Sequence, residues 1–247
     1  MADVPVLRLE GVWRGFDRGR GRVSVLEGVS LDVGLGEIAA VVGMRGQGKT
    51  TLVRVASGTL PVDRGRVVLN GRDLTGLSDG KLSKVLARDV GLATRDGEDR
   101  LDVRDYVEMS LSATREYGSR ERRQRVEEVL RELGLSGCAS ARWGELSNWQ
   151  RVLVEFAQAI VVRPRLLLVD DVVDGLPFEH KGMAMDLIER FARDLRCGVL
   201  MAVSDHATAA RAAKVWRLAY GQLELMHKDE PDIAYLHEHR RSQLDGL

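Results

Sequence analysis

The sequence predicts an α/β fold, a parallel sheet whose strands are joined by crossover helices. Three observations carry this. Residues 166–169 (Leu-Leu-Leu-Val) and 199–203 (Val-Leu-Met-Ala-Val) are short, wholly apolar runs, the mark of strands buried on both faces. Residues 37–42 (Glu-Ile-Ala-Ala-Val-Val) read as another buried strand. Helical segments separate these runs, and parallel neighbours need such crossovers.

The flanking elements follow in chain order. Residues 6–12 and 23–33 read as short strands around a Gly/Arg loop at 17–22, taken as a solvated hairpin tip. Residues 51–56 read as a helix closing at Gly58. Residues 66–71 form a strand that ends in the turn signal Asn70-Gly71. From Asp102 the pattern becomes helical. Ser119 is expected to cap a helix whose apolar positions Val126, Val129, Leu130 and Leu133 follow helical spacing, with Gly134 as its stop. From Met226 the tail reads as a solvated terminal helix. His227, His237 and His239 lie there; the last two are two apart, on different helix faces, which speaks against a metal pair.

Composition narrows the classes. At 247 residues the chain is one large domain or a domain with subdomains. Hydrophobic content of 44% and charged content of 30% are ordinary for a globular protein. Lys plus Arg number 37 and Asp plus Glu 37, so no global field draws nucleic acid, and no nucleic-acid partner is expected. No apolar run approaches the roughly 20 residues that cross a bilayer. The N-terminus lacks a basic flank followed by an apolar stretch, so no signal peptide is visible. Cys138 and Cys197 are far apart and outside any C-x-x-C pattern, so both are expected free and reduced.

The chemistry-bearing motif is Gly43-Met44-Arg45-Gly46-Gln47-Gly48-Lys49-Thr50, which fits G-x-x-x-x-G-K-[ST]. Glycines let backbone N–H groups turn inward around phosphates, a long cation reaches the outer phosphates, and a hydroxyl sits on a magnesium ion. Strand, glycine loop and helix N-terminus together make an anion site. The candidate nucleotide-binding set is therefore Gly43, Arg45, Gly46, Gln47, Gly48, Lys49, Thr50 and Thr51.

The order of motifs over residues 6–225 resembles the nucleotide-binding subunits of ATP-binding-cassette (ABC) transporters. The hairpin at 65–74, followed by Leu77-Ser78, resembles the lipoprotein-release and macrolide-export branch. The resemblance implies a P-loop NTPase sheet with an N-terminal antiparallel β subdomain and an inserted α-helical subdomain. Residues 1–247 would be a single domain, with a core at about 6–93 and 156–225, a helical subdomain at about 94–155 and an extension at 226–247. It also implies ATP and Mg²⁺ as cofactors, a second ABC subunit as dimer partner and a transmembrane permease subunit as membrane partner.

Residue by residue, the resemblance places Phe16 where the family stacks an aromatic on adenine, with Trp13 as the rival. Asp170 matches the acid that orders Mg²⁺ beside Thr50. The family's next residue is a glutamate that polarises water; here it is Asp171, one methylene shorter. Glu145-Leu146-Ser147-Asn148-Trp149-Gln150 stands where E-L-S-G-G-Q is expected, so Ser147 is kept while Asn148 and Trp149 add bulk at a dimer contact. Arg95 replaces a metal-ligating glutamine and cannot ligate metal itself. Asp205 replaces a phosphate-sensing histidine, with His206 one place later. Pro177 replaces an aspartate after the Walker B strand. Positions that hold base, phosphates and metal are kept, and those that sense the terminal phosphate or reach across a dimer are changed. Because the new charges offset, Arg95 is expected to pair with Asp205 or Asp171. The implied function is an ATP-binding subunit with weak or absent hydrolysis; the alternative is a non-transporting pseudo-ATPase regulator or adaptor.

Overall fold

The computed structural model describes residues 4–19, 21–95 and 97–226. The tail histidines and nearly all of the 226–247 extension lie outside that range.

The three apolar runs become the middle of one sheet. Strands β3 (Ile38–Val42), β7 (Leu166–Asp170) and β8 (Gly198–Val203) are buried at every position. Their side chains alternate between two cores, as a period of two requires. Ile38, Ala40, Val42, Leu167, Val169, Val199, Met201 and Val203 enter one core. Ala39, Val41, Leu166, Leu168, Leu200 and Ala202 enter the other. The sheet is completed by β6 (Val90–Ala93), β9 (Lys214–Ala219) and β10 (Gln222–Met226), in the order β10-β9-β3-β8-β7-β6. Its pairs are parallel except β10 on β9. Strands β9 and β10, at one side of the sheet, escape the sequence pattern because charged Lys214, Arg217 and Glu224 interrupt their apolar residues.

A second sheet is antiparallel, ordered β2-β1-β4-β5. It comprises β1 (Leu7–Arg18), β2 (Gly21–Val33), β4 (Arg64–Leu69) and β5 (Arg72–Asp73). The expected Gly/Arg loop is mostly ladder: Asp17 pairs with Arg22 and Arg18 with Gly21. Backbone pairing needs no apolar pattern, so this arm was invisible in the sequence. Asn70 and Gly71 both take positive φ, 50° and 74°, the requirement of a tight hairpin turn. Leu7, Leu9, Val12 and Leu26 seat this sheet on the second core.

Helix α1 (Lys49–Ala56) packs in the same core through Leu52, Val53, Val55 and Ala56. Helices α2 (Asp79–Asp89), α3 (Val103–Thr114), α4 (Ser119–Glu132), α5 (Asn148–Ile160), α6 (Phe178–Asp194) and the single turn α7 (His206–Ala209) follow. Asp102 caps α3, its carboxylate accepting from the Asp105 N–H at 2.8 Å. Ser119 does not cap α4 as expected: it is the first helical residue, and Gly118 is the cap, its carbonyl accepting from the Arg122 N–H at 2.9 Å. The predicted stripe is otherwise met, with Val126 and Leu130 fully buried. Both cysteines are free. Among the described residues no helix is long and apolar enough to cross a membrane.

Helix α5 lies directly on β6 at Gly91, where an added Cβ would collide with the Ala159 carbonyl. Gly91→Ala is therefore expected to destabilise the fold by about 1–3 kcal/mol in urea unfolding. Gly80→Ala, in open space on α2, should leave stability unchanged or slightly raised.

Candidate functional site

The glycine loop leaves the carboxyl end of β3 and runs into α1. Gly46 and Gly48 take φ of 86° and 100°, which suit only glycine. A Cβ at Gly48 would also sit 2.7 Å from Val25 Cγ1. Gly48 is the helix cap and offers no side chain, so the first N–H groups of α1 keep their positive potential. Lys49 is 5% exposed. Its Nζ donates to the Gly43 carbonyl at 2.8 Å, the Met44 carbonyl at 3.4 Å and Ser204 Oγ at 3.2 Å. The ammonium is thus held inside the loop by neutral oxygens.

A cavity of about 620 Å³ opens over this loop. Phe16 and Val25 of the antiparallel sheet line it, with Arg45, Gly46, Gly48, Lys49, Thr50 and Thr51. Arg95, Asp171, Asp174 and Ser204 complete the wall. The geometry therefore gathers most of the candidate nucleotide-binding residues. Gln47 faces elsewhere: its side-chain carbonyl accepts from the Tyr220 N–H at 3.0 Å and ties the loop to the β9–β10 turn. Trp13 is not on the wall; its ring lies against Gly28. Asp174 and Ser204 were not among the expected site residues. Ser204 N–H donates to Asp174 Oδ1 at 3.3 Å, so the two close the cavity together.

Thr50 Oγ1 donates to Asp170 Oδ1 at 3.2 Å, and Asp170 is 8% exposed. A hydroxyl and a carboxylate side by side are hard oxygen donors, so this pair fits a magnesium ion.

Asp171 follows with φ of 54°, a strained value for a side chain other than glycine. Its Oδ1 is buried without a hydrogen-bond partner. Burial pushes its carboxyl above the ordinary range; the Lys49 charge pulls it back, Asp174 pushes it up again and Arg95 opposes that.

The changed positions are taken up elsewhere. Asp205 caps α7, accepting from Thr208 N–H at 2.8 Å, and pairs with Lys181 Nζ at 2.7 Å. Burial works against its ionisation, but the Lys181 and Thr208 hydrogen bonds outweigh it and hold its carboxyl below the ordinary range. The expected pairing of Arg95 with Asp205 is thus corrected: a lysine one turn into α6 reaches the carboxylate first. Arg95 instead shares the cavity with Asp171. His206 opens α7 and does not take the Asp205 position. Ser147 caps α5, its Oγ accepting from Gln150 N–H at 3.2 Å, and Ser147 N–H in turn donates to the Gln150 side-chain Oε1 at 2.9 Å. Asn148 lines a neighbouring cavity of about 210 Å³ with Arg95, Trp143 and Glu155. Trp149 stacks on His180 of α6, centroids 5.0 Å apart and planes 7° from parallel. Its bulk is therefore absorbed within the chain.

Asp171 yields a pH prediction. A carboxyl raised in the folded state binds more protons there, so its cost is full above the folded value and fades as pH falls. Asp171→Asn should raise Tm at about pH 8, with a gain that shrinks toward about pH 4, read by thermal unfolding across pH.

Comparison with known proteins bears on the family and the fold. The profile of the family described as ABC transporter matches residues 26–174. The ABC transporter ATP-binding protein YtrE of Bacillus subtilis is 31% identical over 82% of this chain and 88% of its own length. The lipoprotein-releasing system ATP-binding protein LolD of Bordetella pertussis is 32% identical over 89% of this chain and 96% of its own. The methionine import ATP-binding protein MetN of Corynebacterium diphtheriae is 29% identical over 92% and 69%. Among solved structures, the ATP-binding cassette MJ0796, a dimer bound to ADP and phosphate, superposes with a TM-score of 0.82 at 22% identity, covering 90% of this chain and 99% of that one. Fold, loop geometry and these relatives agree: the chain belongs to the ABC transporter family, as one of its ATP-binding cassettes.

Proposed function

We propose that this chain binds Mg-ATP as the nucleotide-binding subunit of a transport complex and turns it over slowly or not at all. The observation that carries the reading is the buried Lys49 ammonium, wrapped by the glycine loop and open to a cavity of about 620 Å³. A buried cation with neutral partners favours an anion beside it. Phosphates would lie along residues 45–51, and the Phe16 ring offers a face to the base, although Arg14 already covers that ring at 4.9 Å. Thr50 and Asp170 would hold magnesium, which supplies charge neutralisation between the phosphates.

Slow turnover follows from the other residues. Asp171 has a short side chain on a strained backbone, and a misplacement of about 1 Å can cost 10²-fold in rate. Asp205 is engaged by Lys181, and Trp149 by His180, so neither is poised for a phosphate. The chain would act with a second ABC subunit, peripheral on the cytoplasmic face of a membrane through a permease subunit. The helical stretch within 94–155 would meet that permease. The relatives cover lipoprotein release and methionine import alike, so the reading stops at the family and names no cargo. The Lys181–Asp205 pair also favours a second reading, a pseudo-ATPase regulator without transport. Co-purification with a multi-span membrane protein separates the two.

The purified chain should bind ATP, and Lys49→Ala should abolish binding. Steady-state hydrolysis should fall about 10²-fold or more below the median enzyme rate of about 10 per second. Asp171→Glu should recover part of it. Turnover near the median rate by the unaltered chain would contradict the slow-hydrolysis reading.

A further inference from the structure

We propose that Arg95 is a ligand for the terminal phosphate and supplies positive charge otherwise left to the metal, so that ATP binds with little dependence on a divalent cation. This rests on the nucleotide reading of the cavity.

Position comes first. Arg95 follows β6 and stands on the wall shared by the 620 Å³ and 210 Å³ cavities. Its guanidinium nitrogens lie 3.7 and 3.9 Å from where a Cβ on Gly175 would sit, so the loop after β7 leaves room for it. Asp171 feels its charge. The preceding residue is anchored: the Thr94 N–H donates to Glu155 Oε2 at 3.4 Å, and the same buried carboxylate accepts from Tyr106 Oη at 3.0 Å. Arg95 is thereby launched from a fixed point between the sheet and α5.

Chemistry comes second. A guanidinium has donors only, so it cannot ligate a metal, but its planar fork matches two phosphate oxygens. Among the described residues no close ion pair commits it to a carboxylate, and Asp205 is held by Lys181. The cavity wall carries Arg45, Lys49 and Arg95 against Asp171 and Asp174. Those two acids would repel a terminal phosphate unless cations stand with them; Asp171 feels Lys49 first and Arg95 as well, and Lys49 is already committed to the loop oxygens. The metal keeps only the Thr50–Asp170 pair as its protein donors in this reading, and magnesium prefers six oxygens.

The test is ATP and ADP titration by calorimetry on the full chain, in magnesium and in EDTA, for wild type, Arg95→Gln and Lys49→Ala. Arg95 is exposed, so its substitution leaves the core intact. Wild type should lose less than about tenfold in ATP affinity on moving to EDTA, the scale of one charge-assisted hydrogen bond. Arg95→Gln should bind Mg-ATP more weakly than wild type, lose well over tenfold further in EDTA, and leave ADP affinity unchanged. Equal affinities of wild type and Arg95→Gln for ATP in EDTA would overturn the assignment while leaving nucleotide binding intact. Binding by wild type in neither condition would overturn both readings. Unchanged binding by Lys49→Ala would overturn both as well, by placing the nucleotide outside this loop.

Discussion

The buried ammonium of Lys49 is the constraint on which the rest of the site depends. Sequestering a cation is costly unless its protons are satisfied. Here Gly43 and Met44 carbonyls and the Ser204 hydroxyl satisfy them without neutralising the charge. The loop can curl tightly enough to do this only because Gly46 and Gly48 accept positive φ, and because nothing larger than hydrogen fits between Gly48 and Val25. Ser204 follows β8, so the same bond ties the glycine loop to the carboxyl end of that strand.

That end of the sheet is where the chemistry collects. The glycine loop leaves β3, Asp170 and Asp171 close β7, Ser204 and Asp205 follow β8, and Arg95 follows β6. Parallel strands all point their carboxyl ends the same way, so residues remote in sequence converge at one edge. The sheet can hold them there because both of its faces are buried, each strand dividing its side chains between two cores. The antiparallel sheet, seated on one of those cores, brings Phe16 and Val25 to the same cavity.

Residues that depart from the family pattern are not left idle. Asp205 becomes a helix cap and ion-pair partner, and Trp149 becomes a stacking surface for His180. Both bind the start of α6 or α7 to a neighbouring element. Side chains that the family resemblance would set facing a nucleotide or a second subunit hold this subunit together instead. Arg95 differs: Asp205, one of the two acids it was expected to meet, is occupied, and Arg95 shares the cavity wall with the other, Asp171.

The sequence by itself determined the sheet centre and the phosphate loop, because apolar runs and G-x-x-x-x-G-K-[ST] report local chemistry that needs no partner. Thr50 belongs to that motif itself, while Phe16 and Asp170 were singled out by the family resemblance, and the structure sets Phe16 on the cavity wall and Asp170 beside Thr50. The sequence did not reveal β9 and β10, whose charged residues face outward and mask the pattern, nor the paired arm of β1 and β2, where backbone bonds replace side-chain periodicity. Only the tertiary structure decided who partners whom. Lys181 reaches Asp205 across 24 positions and His180 meets Trp149 from another helix, while Arg95 meets neither. Charge balance read along the chain offered Arg95 to Asp205 or Asp171, but a pair is settled by which side chain arrives within hydrogen-bond reach. That follows from how α6 packs beside β8, a fact of three dimensions that no spacing in the sequence encodes.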